Sequence, residues 1–142
     1  MLYLLIVLMT GCSMAVDDPA DYEGARQATV EAWELVIGVV GTVCYQMTMD
    51  TIITEVDVLE IKDKSHVIGR TDIIRVDGEI VQTQISILAS RPESRKMDTA
   101  VHEYIHVLDA CINGKDDVNH MKHKLWIDYG ADTVEAVGCA GW

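Results

Sequence analysis

The stretch between Ser90 and Gly114 places the strongest constraint on how this chain can fold. Ser90 and Glu93 have the spacing of a capping box at the start of a helix, and Gly114 can supply the left-handed residue that ends one. The spacing therefore predicts a helix over residues 93–113. Its apolar side chains recur at helical spacing and form one stripe, made of Val101, Ile105, Leu108 and Ile112. Because such a stripe must be covered, the helix is expected to pack against a second layer.

The segments upstream of this helix indicate that the second layer is a β-sheet. Residues 66–76 and 80–88 are rich in β-branched side chains and flank Asp77-Gly78, a strong signal for a hairpin turn. The alternation within residues 80–88 favours an edge or near-edge strand. Residues 46–61 form another segment that is expected to be extended.

A second helix is predicted over residues 25–40. Its apolar side chains have helical spacing, and Gly38 and Gly41 follow as a natural end. The stripe consists of Ala28, Ala32, Leu35, Val36 and Val39. Together with the segments above, this pattern predicts an α+β domain. In it, a twisted antiparallel or mixed sheet packs on the helix of residues 93–113 and on an N-terminal helix.

The balance of charge argues against one class of partner. The 142 residues include 23 acidic and 11 basic side chains, which gives a formal net charge of -12. Nucleic-acid binding relies on clustered Lys and Arg that contact phosphates, so we expect no nucleic-acid partner. The same balance disfavours electrostatic attachment to an anionic bilayer. Any membrane association must therefore come from an apolar or covalent group.

The N-terminus offers both kinds of group. Residues 2–9 are apolar but far fewer than the about 20 residues that a membrane-spanning helix needs, and they match the apolar core of a signal peptide. The sequence Met-Thr-Gly-Cys that ends at Cys12 resembles the lipobox of bacterial lipoproteins, with Met9 in place of the usual leucine. By that resemblance residues 1–11 are a lipoprotein signal peptide and Cys12 carries the lipid. The alternative is that residues 2–9 form a buried first strand or helix.

The lipobox resemblance also implies a location and a domain layout. Residues 12–24 would be a polar tether, and residues 25–142 would be the folded domain. The protein would be exported and held by its lipid at the membrane of a bacterial or phage-encoded cell envelope, on the periplasmic or extracytoplasmic face.

Three further cysteines remain, and export would place them in an oxidising compartment. One pair is then expected to form a disulfide. The predicted pair is Cys111–Cys139, which would fix the C-terminal segment against the helix of residues 93–113, and Cys44–Cys139 is the competing pair. The alternative is that all three are buried free thiols.

A chemically informative pattern lies within the predicted helix of residues 93–113. His102, Glu103 and His106 form the motif His-Glu-x-x-His. Residues four apart lie on one face of a helix, so the two imidazoles can bind one metal ion. Glu103 lies beside that face and can act as general base on a water molecule bound to the metal. The pattern predicts a Zn²⁺ site.

A catalytic zinc site needs a third protein ligand, and the sequence downstream supplies two histidines. We predict that His120 is this ligand, because it follows a polar loop directly, with His123 as the alternative and Glu135 as a distant third candidate. Asp109 is expected on the same helical face as the two motif histidines. It is either an acceptor that orients an imidazole or a solvated charge.

The motif and its surroundings, over roughly residues 80–129, resemble the zincin metallopeptidases. These proteins combine a twisted sheet, a helix with the His-Glu-x-x-His motif and a C-terminal stretch that returns the third ligand. By that resemblance His102 and His106 are zinc ligands and Glu103 is the base. The layout is closest to small SprT-like zincins, in which a loop of about a dozen residues precedes the third histidine, with an aromatic residue (here Trp126) shortly beyond. The extensions typical of metzincins and thermolysin-like enzymes are absent.

The resemblance implies that the protein hydrolyses peptide bonds of a peptide or protein substrate by zinc-activated water. One rival hypothesis is a non-catalytic, zinc-stabilised envelope lipoprotein that acts as a binding module. Its zinc site would be closed by four protein ligands, for which the chain has His102, His106, His120 and His123. The other rival is a cytosolic metalloprotein in which the apolar N-terminus is a buried element.

Overall fold

The computed structural model describes residues 19–59 and 67–114, and in these ranges three helices pack on a three-stranded mixed sheet. This confirms the expected α+β class. The elements in chain order are α1 (Tyr22–Val36), α2 (Thr42–Asp50), β1 (Ile52–Val56), β2 (Gly69–Val76), β3 (Glu79–Leu88) and α3 (Glu93–Asn113).

The sheet has the strand order β1-β3-β2, with β1 parallel to β3 and β2 antiparallel to it. Of the three described strands β3 is therefore the central one, so an edge position for residues 80–88 was wrong, whereas a near-edge position agrees with the strand order. Its alternation has another cause, since the helices cover one face of the sheet. Thr83, Ile85 and Ile87 are buried, whereas the residues between them are only partly buried.

The predicted hairpin between β2 and β3 is confirmed. Asp77 and Gly78 occupy its two central positions with φ of 52° and 84°. Positive φ at both positions is the signature of a type I′ turn, which matches the natural twist of paired strands. The pairing continues along both strands to Gly69 opposite Ile87, with one irregularity near Ile74.

The segment after α1 differs from its prediction. Residues 46–61 were expected to be extended, yet residues 46–50 belong to α2, and only Ile52–Val56 form a strand. The buried side chains of α2 are Cys44 and Thr48, one helical turn apart. The alternation of Met47 and Met49 suggested a strand. The buried residues Cys44 and Thr48 are instead four positions apart, which is the spacing of one helical face.

The first helix has a shorter and different buried face from the one predicted. It begins at Tyr22, where Asp21 accepts a hydrogen bond from the backbone N–H of Gly24 at 2.9 Å, and it ends at Val36. Leu35 is 71% exposed and lies outside the core, contrary to the prediction. Ala28 and Ala32 of the predicted stripe are buried, and the rest of the buried face consists of Ala25, Arg26, Thr29, Val30 and Trp33.

The boundaries of α3 agree with the prediction at both ends, and Gly114 ends the helix with φ of 70°. The predicted capping box is wrong, because Pro92 is the N-cap and no side chain caps the helix. Val101 and Leu108 of the predicted stripe are buried, as is Ile105. Ile112, in the last turn, is 36% exposed.

A cluster around Lys96 fixes the N-terminal end of α3. Lys96 Nζ lies 2.5 Å from Oε1 of Glu55 in β1 and 2.6 Å from Oε1 of Glu93. The Tyr22 hydroxyl donates to Glu55 at 2.9 Å, and the backbone N–H of Ala20 donates to Glu93 at 2.9 Å. Because Lys96 is only 3% exposed, its charge needs these two carboxylates. The cluster therefore joins the start of α1, the strand β1 and the start of α3.

A disulfide fixes the other end of α3. It joins Cys44 in α2 to Cys111, with the Cα atoms 5.7 Å apart. Both predicted pairings, Cys111–Cys139 and Cys44–Cys139, were therefore wrong, as was the free-thiol alternative for Cys44 and Cys111. The misassigned α2 explains the error, since the helix turns Cys44 toward the C-terminal part of α3. Cys139 lies outside the described residues.

The core lies between α3, the inner face of β3 and the first helix. Its most deeply buried side chains include Ile85, Ile87, Val101, Ile105, Val107 and Leu108. In the ranges that the structure describes, no helix has the length and apolar character needed to cross a bilayer. The predicted signal peptide of residues 1–11 and the lipid-carrying Cys12 lie outside those ranges.

Candidate active site

His102 and His106 lie one turn apart on α3, and both side chains are partly exposed. Their ring centroids are 5.2 Å apart, and the ring planes meet at 71°. Two imidazole nitrogens bound to one tetrahedral zinc at about 2.0–2.1 Å put the ring centroids roughly 5 Å apart. The spacing of the two rings therefore fits a shared metal ion. The neighbouring residues Val101 and Ile105 are buried, which fixes the helical face that the histidines occupy.

Glu103 lies in the contact between α3 and β2, which is an edge strand among the three strands described. Its side chain is 5% exposed. The hydroxyl of Thr71 in β2 donates to Oε2 of Glu103 at 2.6 Å and also lies 3.1 Å from the backbone carbonyl oxygen of Glu103. One threonine therefore contacts both the carboxyl group and the main chain of this residue.

Burial raises the pKa of Glu103 to about 7. The hydrogen bond from Thr71 acts in the opposite direction and lowers it, while the negative charge of Asp72 raises it further. Removal of a carboxylate from water disfavours its ionised form, so burial is the largest cause. A carboxyl group that titrates near neutral pH can both accept and release a proton, as a general base must.

Gly69 gives Glu103 the space that it occupies. A Cβ atom at residue 69 would lie 2.8 Å from Oε1 of Glu103 and 2.5 Å from Cγ2 of Thr99. Neither distance is compatible with ordinary van der Waals contact, so α3 and β2 approach this closely only because residue 69 has no side chain.

Asp109 is 3% exposed, which rules out the solvated charge that was one of its two interpretations. The side-chain amide of Asn113 donates to Oδ1 of Asp109 at 2.5 Å. The other interpretation, an acceptor that orients an imidazole of the motif, stays a prediction.

The structure places His102, Glu103 and His106 on α3, with the two histidine rings 5.2 Å apart, and their roles at a metal site stay predictions. The candidates for the third ligand, His120, His123 and Glu135, all lie outside the described residues. Within residues 19–59 and 67–114, no three His, Cys, Asp or Glu side chains are grouped so that they could hold a metal ion.

Thr71 and Gly69 were not among the site residues predicted from the sequence. A glycine within a run of β-branched residues often marks a place where another backbone or side chain approaches closely, and Gly69 is such a glycine. Thr71, two residues further on, then lies on the same face of the strand. The sequence did not show which element approaches that face.

No known protein family matches this chain, and neither curated proteins nor solved structures give a match.

Proposed function

We propose that this chain is an exported, lipid-anchored zinc metallopeptidase that hydrolyses peptide bonds. The observation that carries the proposal is the arrangement on α3. Two histidines with rings 5.2 Å apart share one face, and the residue that follows the first of them is a buried glutamate with a pKa near 7. This combination supports metal binding and proton transfer within one helical turn.

His102 and His106 would hold the zinc ion, with His120 as the proposed third ligand and His123 as the alternative. Three protein ligands leave one position for water and substrate, as a catalytic site requires. When bound, zinc lowers the pKa of water and polarises the scissile carbonyl group.

Glu103 is the proposed general base. It would accept a proton from the attacking water and pass it to the nitrogen of the leaving amine, so that the carboxyl group returns to its ionised form. In the metal-free protein its pKa of about 7 lets the carboxyl group exchange a proton near neutral pH.

The edge strand β2 is the proposed docking strand for substrate. An extended peptide can add to the edge of a sheet through main-chain hydrogen bonds. Among the three strands described, β2 lies at one edge and pairs only with β3. Gly69 and Thr71 on this strand contact Glu103, so a peptide held along β2 would lie beside the base.

The proposed location is the cell envelope, with the lipid on Cys12 and, as tether, the part of residues 12–24 that precedes α1, since residues 22–24 belong to that helix. The net charge of -12 disfavours electrostatic attraction to an anionic bilayer, so the proposed anchor is the covalent lipid. Labelled fatty acid should enter the wild-type protein and not the Cys12→Ala variant. Equal labelling of both proteins, or of neither, would contradict this location.

One observation favours the rival function, a non-catalytic binding module. Glu103 is 5% exposed, whereas a general base must reach water. In this alternative Glu103 is a structural residue. The zinc site has no open position, because four protein ligands fill it: His102, His106, His120 and His123. The number of protein ligands on the metal separates the two functions.

Alanine substitutions of single histidines test the metal site. His102→Ala and His106→Ala should each weaken zinc binding by more than about 100-fold, which exceeds the usual effect of removing an outer partner of a ligand. His66 is the one histidine of the sequence that is not a proposed ligand. His66→Ala is therefore the matched control and should bind zinc like the wild type. The same titration with His120→Ala and His123→Ala identifies the third ligand. Undiminished zinc affinity in the His102 and His106 variants would overturn the proposal, and a loss in all four variants would support the closed site.

A further inference from the structure

The strand β2 contacts Glu103 through a hydrogen bond as well as through packing. Thr71 contacts the carboxyl group and the carbonyl oxygen of Glu103, and Gly69 leaves room for Oε1 and Cγ of the same side chain. Thr71 and Gly69 lie two residues apart on one face of the strand. One carboxyl oxygen is thus hydrogen-bonded to β2, and the other occupies space that a side chain at residue 69 of the same strand would take.

A threonine hydroxyl has one proton to donate and lone pairs to accept. It can therefore donate to the ionised carboxylate of Glu103. The same hydroxyl lies 3.1 Å from the Glu103 carbonyl oxygen, so one side chain contacts both the carboxyl group and the main chain of this residue.

We propose that Thr71 is the positioning residue for Glu103, and that Gly69 provides the slot in which the carboxyl group is held. The inference rests on the proposed peptidase function and deepens it. Thr71 is assigned no contact with substrate or metal, and it acts only through Glu103. Valine at this position would keep the shape of the side chain but would remove both hydrogen bonds, so the base would lose its fixed orientation.

Two substitutions at Thr71 test the inference, because they separate the hydroxyl from the rest of the side chain. Thr71→Val should lower kcat about 10–100-fold, as loss of an outer-shell partner usually does, with KM and zinc affinity nearly unchanged. Thr71→Ser keeps the hydroxyl and should restore most of kcat. Thr83→Val is the matched control. Thr83 is a buried strand threonine that shares a 2.6 Å hydrogen bond with Thr51, so its loss should affect stability and leave kcat close to that of the wild type.

A double-mutant cycle adds a readout that a merely structural role would not give. In a Glu103→Gln background, Thr71→Val should cause no further loss of activity, because the residue that it positions is gone. Chemical unfolding of the four proteins without zinc shows whether each of them is folded under the conditions of the activity assay.

The outcomes distinguish this inference from the proposed function. If the wild-type protein cleaves peptides and Thr71→Val does so equally well, or if the two substitutions are additive, the positioning role is wrong and the peptidase stands. If the wild-type protein binds zinc but cleaves no peptide, the function and this inference both fail.

Discussion

Glu103 is a carboxyl group held between α3 and β2, and its protonation therefore contributes to the stability of the fold. Its pKa is raised from 4.5 to about 7, with burial as the largest cause. Between these two pH values the folded protein binds a proton that the unfolded chain has already released. The free energy of unfolding falls as pH rises wherever the folded state holds more protons than the unfolded state. Burial of Glu103 therefore makes the protein less stable as pH rises through this range.

For zinc-free protein, the free energy of unfolding should fall by about 3 kcal/mol between about pH 4.5 and about pH 7 because of this one residue. The Glu103→Gln variant should lack this part of the pH dependence, since glutamine does not titrate. Urea unfolding across this pH range measures the difference. Glu79→Gln, at an exposed position in the hairpin, is the control and should keep the slope of the wild type. An identical slope in the Glu103→Gln protein would contradict the burial of this carboxyl group.

Single residues also show how far the sequence could predict the site. Spacing alone predicts the relative placement of His102, Glu103 and His106. A helix has a fixed period, so it positions these side chains without help from any other element. Thr71 could not be found in this way. It lies on a strand 32 residues before Glu103, and its contact depends on how β2 crosses α3.

Helix α3 is fastened to the rest of the fold at both ends, and these two attachments hold the motif between them. Lys96 and its carboxylate partners join the first turn of the helix to β1. The Cys44–Cys111 disulfide joins the last turns of the helix to α2. Sites carried by fixed elements of this kind keep their geometry better than sites on loops.

The disulfide is expected to be the larger contribution of the two. It closes a loop with a sequence separation of 67, and loss of such a cross-link by the chain-entropy relation costs about 4 kcal/mol. The double variant Cys44→Ala/Cys111→Ala should therefore lose about 2–5 kcal/mol of stability in urea unfolding. Reduction of the wild-type protein should produce the same loss and should have no further effect on the variant. Two thiols at these positions that react freely in the folded, unreduced protein would show that the bond is absent.

The same elements explain what the sequence could and could not predict about the fold. The predictions of the hairpin and of the end of α3 were correct, because Asp-Gly and Gly114 are local signals that act through backbone conformation. The helix α2 was missed because its buried side chains, Cys44 and Thr48, depend on packing against α3. The disulfide pairing failed for the same reason, since cysteine spacing does not determine which pairs meet.

At the scale of the whole molecule, the candidate site is built from two layers of the fold. The helix supplies the proposed metal ligands and the base, and the edge strand β2 supplies the groups that contact the base and the free edge proposed for substrate. The sequence predicted both layers and their order along the chain. It did not predict that β3 lies at the centre of the three described strands, which leaves β2 at one edge of them, in contact with Glu103.

The central claim is that Glu103 performs proton transfer at a zinc site, and a comparison of wild-type and Glu103→Gln proteins tests it most directly. Each protein would be loaded with zinc, its metal content measured, and its cleavage of a mixed peptide library followed. We predict equal zinc content and a loss of cleavage of about 100–10,000-fold in the variant, as removal of a general base typically causes. Glu79→Gln should cleave like the wild type. Undiminished cleavage by the zinc-loaded Glu103→Gln protein would contradict the claim.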